Sequence, residues 1–134
     1  MRSLILVAAL AATLACGTNK DSPTSPTSTP APSTQTVTGT VSSLGIVQHP
    51  VTIARSGNMT LALTWGTSAD LDLYLTNTTC NTYPPSSCQI LAASDGLAAT
   101  ERITRSVTAG ETFKAWVDNF SATPQNYSLT ITIQ

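Results

Sequence analysis

Two aspartates spaced two residues apart are the first candidates for chemistry in this chain. Asp70 and Asp72 flank Leu71 in the run Asp-Leu-Asp-Leu-Tyr-Leu, and residues i and i+2 of a strand point to the same face. Their separation would be about 6.5–7 Å, at about 3.3 Å of rise per residue. Two carboxylates could bind a cation or act as an acid and base pair around a sugar.

The neighbourhood of these carboxylates favours a structural role. We expect a solvated strand edge, with Asp70 capping the turn after Gly66, and no cofactor. Calcium takes six to eight oxygen ligands. A calcium site is therefore the alternative only if Asp118 joins Asp70 and Asp72. No apolar neighbour in the sequence singles out one carboxylate for the raised pKa that glycoside hydrolysis needs.

The other common catalytic constellations are missing from the sequence. His49 is the one histidine, and no Gly-x-Ser-x-Gly, phosphate-binding or dinucleotide motif is present. Because His49 precedes Pro50 at an expected bend, a surface or turn position is the simplest interpretation. The sequence therefore predicts a protein that is not an enzyme.

Tyr74 and Trp116 are the best candidates for ligand contact. If the leucines on either side of Tyr74 and the apolar neighbours of Trp116 face the core, both aromatic rings point outward. They would form a platform for sugar rings or for a partner's apolar side chains. The alternative is that Trp116 packs beneath the segment between Cys80 and Cys88.

The first fifteen residues are predicted to be an export signal. They combine a basic start, an apolar stretch too short to span a bilayer and a small residue at position 15. Leu14-Ala15-Cys16 resembles the lipobox of bacterial lipoproteins, which implies lipidation of Cys16. Gly17, which is not acidic, implies sorting to an outer membrane.

Lipidation of Cys16 also accounts for the odd number of cysteines. The chain has three, and assigning one to lipid leaves Cys80 and Cys88 to form a disulfide in an oxidising envelope. Pairing through Cys16 would require giving up the lipid. Two cysteines and one histidine do not complete a zinc site.

The remaining chain divides into a tether and one domain. Residues 16–35 are rich in Pro, Ser and Thr and predict a stiff, unfolded linker, and residues 36–134 predict a single domain. From position 36 onward there are six acidic residues (Asp70, Asp72, Asp95, Glu101, Glu111, Asp118) against four basic ones (Arg55, Arg102, Arg105, Lys114). This mildly acidic balance argues against a nucleic-acid partner.

Alternation dominates the predicted domain. Apolar residues recur at every second position in several short segments, and Gly, Asn, Asp and Pro punctuate the intervals between them. Candidate strands include 37–47, 50–55, 61–65, 71–75, 89–93, 100–107, 113–117 and 127–133. Pro84-Pro85 marks a loop. Seven or eight such strands predict an all-β protein, an antiparallel β-sandwich.

The order of these motifs resembles the bacterial pre-peptidase C-terminal domain over most of positions 46–133. The shared elements are the strand Asp70–Leu75, the segment Ala109–Phe113, Val117-Asp118-Asn119-Phe120, and a closing Tyr127-x-Leu129-x-Ile131. The resemblance implies a jelly-roll-like sandwich from an exported protein. Some relatives bind collagen or calcium, but the region 36–55 lacks the acidic residues that calcium-binding relatives supply there.

Together these features predict a function in the cell envelope. We expect a lipid-anchored, non-catalytic binding or structural module in the outer membrane, with a glycan or an extracellular protein as its partner. The alternative is an accessory or inhibitor protein for a separately encoded secreted peptidase.

Overall fold

The structure, a computed structural model, describes residues 31–66, 69–82 and 88–134. The strands are β1 Ser33–Val41, β2 Ile46–Thr52, β3 Gly57–Trp65, β4 Leu71–Asn77, β5 Ile90–Ser94, β6 Thr100–Val107, β7 Thr112–Asn119 and β8 Gln125–Ile133. Among these residues, no helix is long and apolar enough to cross a membrane. The predicted signal peptide, Cys16 and the Pro84-Pro85 loop lie outside the described residues.

The eight strands form two antiparallel four-stranded sheets. Sheet A has the order β1-β8-β3-β6, and sheet B has the order β2-β7-β4-β5. Six of the seven connections between consecutive strands change sheets, and only the connection from β4 to β5 stays within one sheet. This is the connectivity of a jelly roll. The predicted all-β, antiparallel, jelly-roll-like sandwich is confirmed.

The first predicted strand, residues 37–47, is divided by a turn into parts of β1 and β2. Gly45 N donates to Ser42 O at 3.1 Å, and Leu44 has a φ of 50° and is 74% exposed. Because a tight turn with a positive φ ends the extended backbone, the chain leaves sheet A here and enters sheet B. Strand β1 begins at Ser33, so pairing with β8 reaches into the last residues of the predicted linker.

The core lies between the two sheets and follows the predicted alternation. Every second residue of each central strand is buried, and the opposite residues face outward. The fully buried large side chains include Ile53, Met59, Leu61, Leu63, Leu71, Leu73, Leu75, Val117 and Leu129. Side chains of both inner faces interdigitate in this way in aligned β-sandwiches.

One buried amide joins the turns at one end of the sandwich. Asn119, which is 1% exposed, donates from Nδ2 to Ser42 O and Thr123 O, both at 2.9 Å. Its Oδ1 accepts a hydrogen bond from Ser121 N at 2.9 Å, and its backbone N donates to Gly45 O at 2.9 Å. The turn between β1 and β2 and the turn between β7 and β8 are therefore held by the same side chain.

The entry to β4 is attached to the same end. Asp70 N donates to Ser121 Oγ at 3.1 Å, and Phe120 N donates to Asp70 O at 3.0 Å. Three of the turns that carry the chain between the sheets thus share one hydrogen-bond network, with Asn119 at its centre. This network positions the first residues of β4 beside the end of β7.

We expect replacement of Asn119 by Ala to destabilise the protein by about 3 kcal/mol, at roughly 1 kcal/mol for each of the three side-chain hydrogen bonds. Urea unfolding would measure the loss. The control is Asn126→Ala, because Asn126 is exposed and its side chain accepts one hydrogen bond, from Thr40 at 2.6 Å. Equal effects of the two substitutions would contradict a central role for Asn119.

Candidate functional site

The two aromatic residues predicted to bind a ligand are direct neighbours on the outer face of sheet B. Tyr74 of β4 is paired in register with Trp116 of β7. Tyr74 is partly buried, and its hydroxyl donates to Asp72 Oδ2 at 2.7 Å. The structure therefore brings together the two rings that alternation assigned to this face.

Trp116 is not exposed, which corrects the expectation of an open aromatic platform. Its side chain is 4% exposed, and its Nε1 donates to Thr76 Oγ1 at 2.8 Å. Thr76 is itself fully buried on this outer face. Alternation correctly predicted the direction in which Trp116 points, but direction alone does not reveal what covers a sheet face.

The segment that starts the disulfide loop lies on the same face. Lys114 Nζ donates to Cys80 O and to Asn81 Oδ1, each at 2.6 Å, and Lys114 lies two residues before Trp116 on β7. Cys80 is bonded to Cys88 with a Cα–Cα distance of 5.3 Å. The predicted disulfide is confirmed, and the alternative position of Trp116, packed within this region, is the one that agrees with its burial.

The predicted carboxylate pair lies within a sheet and not at its edge. Strand β4 is flanked by β7 and β5, and Asp72 is only 7% exposed. The expectation of a solvated strand edge is therefore wrong, because β5 and β7 pair with both sides of β4. Asp70 is held through its backbone, by the contacts with Ser121 and Phe120 described above.

A third carboxylate stands directly opposite Asp72. Asp118 of β7 is its register partner, and both residues occupy the outer face of sheet B. Residues paired in an antiparallel ladder have Cβ atoms about 4.5–5.5 Å apart, and like charges in such positions destabilise a sheet. The sequence reasoning had suggested this proximity only conditionally, and the register now establishes it.

The electrostatic environment of Asp72 reflects this crowding. Burial raises the pKa of Asp72 above its ordinary value, and the hydrogen bond from Tyr74 opposes that rise. The negative charges of Asp70, Asp95 and Asp118 raise the pKa further. Asp95 is a member of this acidic cluster that sequence reasoning missed, since it lies in the turn after β5 and no local pattern connects it to β4.

We refer to Asp70, Asp72, Asp95 and Asp118 as the acidic cluster. Within residues 31–66, 69–82 and 88–134, no three His, Cys, Asp or Glu side chains are arranged to hold a metal ion. The geometry of Asp70, Asp72 and Asp118 thus gives no support to the calcium alternative. The cluster offers negative charge next to a tyrosine ring, which suits a cationic side chain.

His49 lies within a strand, and its ring contacts the opposite sheet. The expectation of a position at a bend is therefore wrong. His49 belongs to β2, is partly buried, and its Nε2 is 2.7 Å from the hydroxyl of Tyr127 on β8 of the other sheet. The two rings meet edge to face with centroids 5.7 Å apart. This contact links the two sheets, and a serine or cysteine nucleophile is not among its partners in the described structure.

A glycine makes room for this contact. Gly39 of β1 pairs in register with Tyr127, and a Cβ at position 39 would lie 2.7 Å from the tyrosine hydroxyl. Any larger residue would displace the ring, so Tyr127 reaches His49 because β1 has no side chain at this point. The sequence contains one signal for this arrangement, a glycine inside a strand that is rich in Thr and Val.

Three solved structures share this fold. A Yersinia pseudotuberculosis-derived mitogen has a TM-score of 0.58 and 22% identity, and the match covers 78% of this chain and 88% of that chain. The Aeromonas hydrophila protein PliG, a periplasmic inhibitor of g-type lysozyme, has a TM-score of 0.54 and 15% identity over 75% of this chain and 86% of that chain.

The third is the pre-peptidase C-terminal domain of a collagenase from Bacillus anthracis. Its TM-score is 0.56 at 10% identity, covering 72% of this chain and 87% of that chain. No protein-family model and no curated protein sequence matches the chain. The resemblance to the pre-peptidase C-terminal domain is thus supported at the level of the fold.

Asp118→Asn should stabilise the protein by about 0.2–1 kcal/mol, because it removes a like charge directly opposite Asp72. It should also lower the pKa of Asp72. Chemical unfolding would measure the first effect, and NMR titration of the Asp72 carboxyl would measure the second. An unchanged pKa of Asp72 in the variant would show that Asp118 does not act on it.

The stability of the protein should fall when the pH is lowered through the ordinary histidine range, at about 6.5. Burial lowers the pKa of His49 in the folded protein. As the pH falls, the histidine of the unfolded chain is therefore protonated first, which favours unfolding. The loss of stability levels off once the pH is below the pKa of His49 in the folded protein. Asp72 has the opposite effect at lower pH, because its pKa is raised in the folded protein and protonation of its carboxyl therefore increases stability. Comparing unfolding free energies of the protein and His49→Asn from pH 8 to 5 isolates the histidine, and two parallel curves would refute its contribution.

Proposed function

We propose that this chain is a lipid-anchored protein of the cell envelope, attached through Cys16 to an outer membrane, whose sandwich is a non-catalytic module that binds a basic protein. The proposal combines two features of the sequence: a predicted export signal that ends before a predicted lipidation site at Cys16, and a domain with no recognisable catalytic constellation. The observation that carries the binding assignment is the acidic cluster beside Tyr74.

The acidic cluster supports binding because the repulsion between its carboxylates lowers the stability of the domain when no partner is bound. Asp72 and Asp118 face each other on two interior strands, with Asp70 and Asp95 near enough to act on the same carboxyl. Lys or Arg side chains of a partner would neutralise this charge and relieve the repulsion. Functional sites are the places where proteins retain such destabilising arrangements.

Tyr74 adds the other feature of a protein-binding surface. A partly exposed tyrosine offers an apolar ring with a polar end, and aromatic residues and charge-paired contacts are typical of interface centres. The burial of Trp116 removes the second ring that a sugar platform would use. A protein partner is therefore favoured over a glycan.

The similar structures support the same class of function without specifying the partner. PliG shows that this fold can serve as a periplasmic inhibitor of an enzyme. The collagenase domain supports the alternative, in which this chain is an accessory or inhibitor of a separately encoded peptidase. The proposed module and its alternative are both non-catalytic roles, with which these similar structures are compatible.

Capture from an envelope extract would test the proposal. The full chain should retain a basic protein in stoichiometric amount at low salt and release it as the ionic strength rises, because exposed charge pairs are screened. Asp118→Asn should weaken capture by about tenfold. A captured peptidase would favour the alternative, and selective binding to a glycan array would overturn the proposal of a protein partner.

A charge-relocation variant is the matched control for that experiment. Asp118→Asn combined with Asn126→Asp keeps the net charge but places the carboxylate on the outer face of sheet A. If the acidic cluster is the binding site, this double variant should bind as weakly as Asp118→Asn. Restored binding would show that only the net charge matters.

The anchor is tested separately. Cys16→Ser should move the protein from the membrane fraction to the soluble fraction, while leaving capture of the partner unchanged. Continued membrane association of this variant would refute the lipid anchor.

A further inference from the structure

The four edge strands of the sandwich differ in how well they resist pairing with another chain. Edge strands expose unpaired backbone groups, and proteins block them with charge, proline or short length. Strand β6 carries Arg102 and Arg105, β2 contains Pro50, and β5 has only five residues. Each of these three edges therefore has a feature that discourages a further strand.

Strand β1, at the other edge of sheet A, has none of these features. It runs for nine residues, Ser-Thr-Gln-Thr-Val-Thr-Gly-Thr-Val, without a charge or a proline. Its register with β8 is continuous from Ser33 to Val41, so no bulge twists the edge away. Within the part of the chain that the structure describes, β1 is therefore a long and regular edge with no further strand beside it.

The sequence of β1 is self-complementary in the antiparallel sense. Threonines occupy positions 34, 36, 38 and 40, which all lie on the outer face, and Val37 is at the centre of the strand. If a second β1 pairs about Val37, Thr34 stands opposite the partner's Thr40 and Thr36 opposite the partner's Thr38. This register pairs all nine residues and forms four threonine pairs. A register centred on Thr36 and not on Val37 forms only three.

The same kind of pair already joins β1 to β8. Thr34 Oγ1 lies 3.4 Å from Thr132 Oγ1, and Thr36 Oγ1 lies 3.2 Å from Thr130 Oγ1. Cross-strand threonine pairs contribute about 0.2–1 kcal/mol each. A second β1 would extend this ladder on the open side of the strand.

The position of the tether favours a second copy as the occupant. The chain enters β1 at this edge, and the proline-rich segment from Cys16 to Ser33 would reach about 50 Å if extended, at about 3.1 Å per residue. Two antiparallel β1 strands would begin about 26 Å apart at about 3.3 Å per residue. Both tethers could therefore reach one membrane, and confinement there raises the effective concentration of each copy.

We propose that β1 is a homodimer interface, at which two copies of this protein pair edge to edge and antiparallel about Val37 to form one continuous eight-stranded sheet. The dimer displays two acidic clusters, one on each copy. Only the concentrating effect of the membrane rests on the lipid anchor of the proposed function, since the pairing itself depends on residues of the described domain.

Single cysteines test the register in membranes that contain the full chain. Val37→Cys should give a disulfide-linked dimer on oxidation, because paired Cα atoms lie about 4.5–5.5 Å apart, within the range that a disulfide spans. Thr34→Cys alone should not, since its own counterpart would lie about 20 Å away along the strand. A mixture of Thr34→Cys and Thr40→Cys chains should cross-link. Absence of the Val37→Cys dimer, or equal linkage by Thr34→Cys alone, would overturn the proposal.

Charge variants test the interface without cross-linking. Thr36→Lys with Thr38→Lys places like charges opposite each other twice in the dimer, whereas Thr36→Lys with Thr38→Glu places opposite charges there. Analytical ultracentrifugation in detergent should show dimerisation weakened by about tenfold in the first variant and retained in the second. Equal dimerisation of both, or a monomer for the unmodified chain at every concentration, would refute the interface.

The two proposals can fail independently. If Cys16→Ser protein is soluble but still cross-links through Val37→Cys at high concentration, both the anchor and the interface stand. If the chain proves not to be lipidated but its Val37→Cys variant cross-links in solution, only the anchor fails. A monomeric chain whose β1 edge binds an extended segment of another protein would overturn the homodimer.

Discussion

The arrangement of the two sheets depends on the side-chain amide of Asn119. In a jelly roll the chain changes sheets at almost every turn, so the turns at one end must be fixed relative to each other. Asn119 meets this requirement with two donors and one acceptor directed at the turns before β2 and before β8. A buried amide without these partners would strongly destabilise the protein. Burial of Asn119 therefore depends on the positions of the turns, and the turns are held in those positions by the hydrogen bonds of Asn119.

The candidate site follows from that constraint. The network around Asn119 fixes the start of β4 beside the end of β7, which places Asp72 opposite Asp118, the residue that precedes Asn119. Asp72 and Asp118, the two members of the acidic cluster that lie within strands, are therefore built into the framework of sheet B. A rigid cluster of like charge loses stability in the free protein, but it needs little reorganisation when a cationic partner binds.

Sequence periodicity was a reliable guide to direction and a poor one to burial. Alternation correctly predicted that Tyr74 and Trp116 share the outer face of sheet B, and the cysteine count correctly paired Cys80 with Cys88. It misjudged Trp116, because the direction of a side chain does not show its burial: this outward-facing ring is 4% exposed and donates a hydrogen bond to Thr76. The bend expected at Pro50 misplaced His49, because the ring's partner, Tyr127, lies 78 residues away in the sequence and no local signal connects the two.

The sequence by itself determined the class of structure and the chemistry of its parts, namely short alternating strands and the disulfide between Cys80 and Cys88. Export and lipidation of Cys16 stay predictions. Local spacing carries this information because strand period, turn residues and cysteine count act within a few residues. Only the tertiary structure decided which strands became edges, that Asp72 and Asp118 meet, and that β1 remains open. These depend on strand order and register, which arise from contacts between residues far apart in the chain, and no local pattern encodes them.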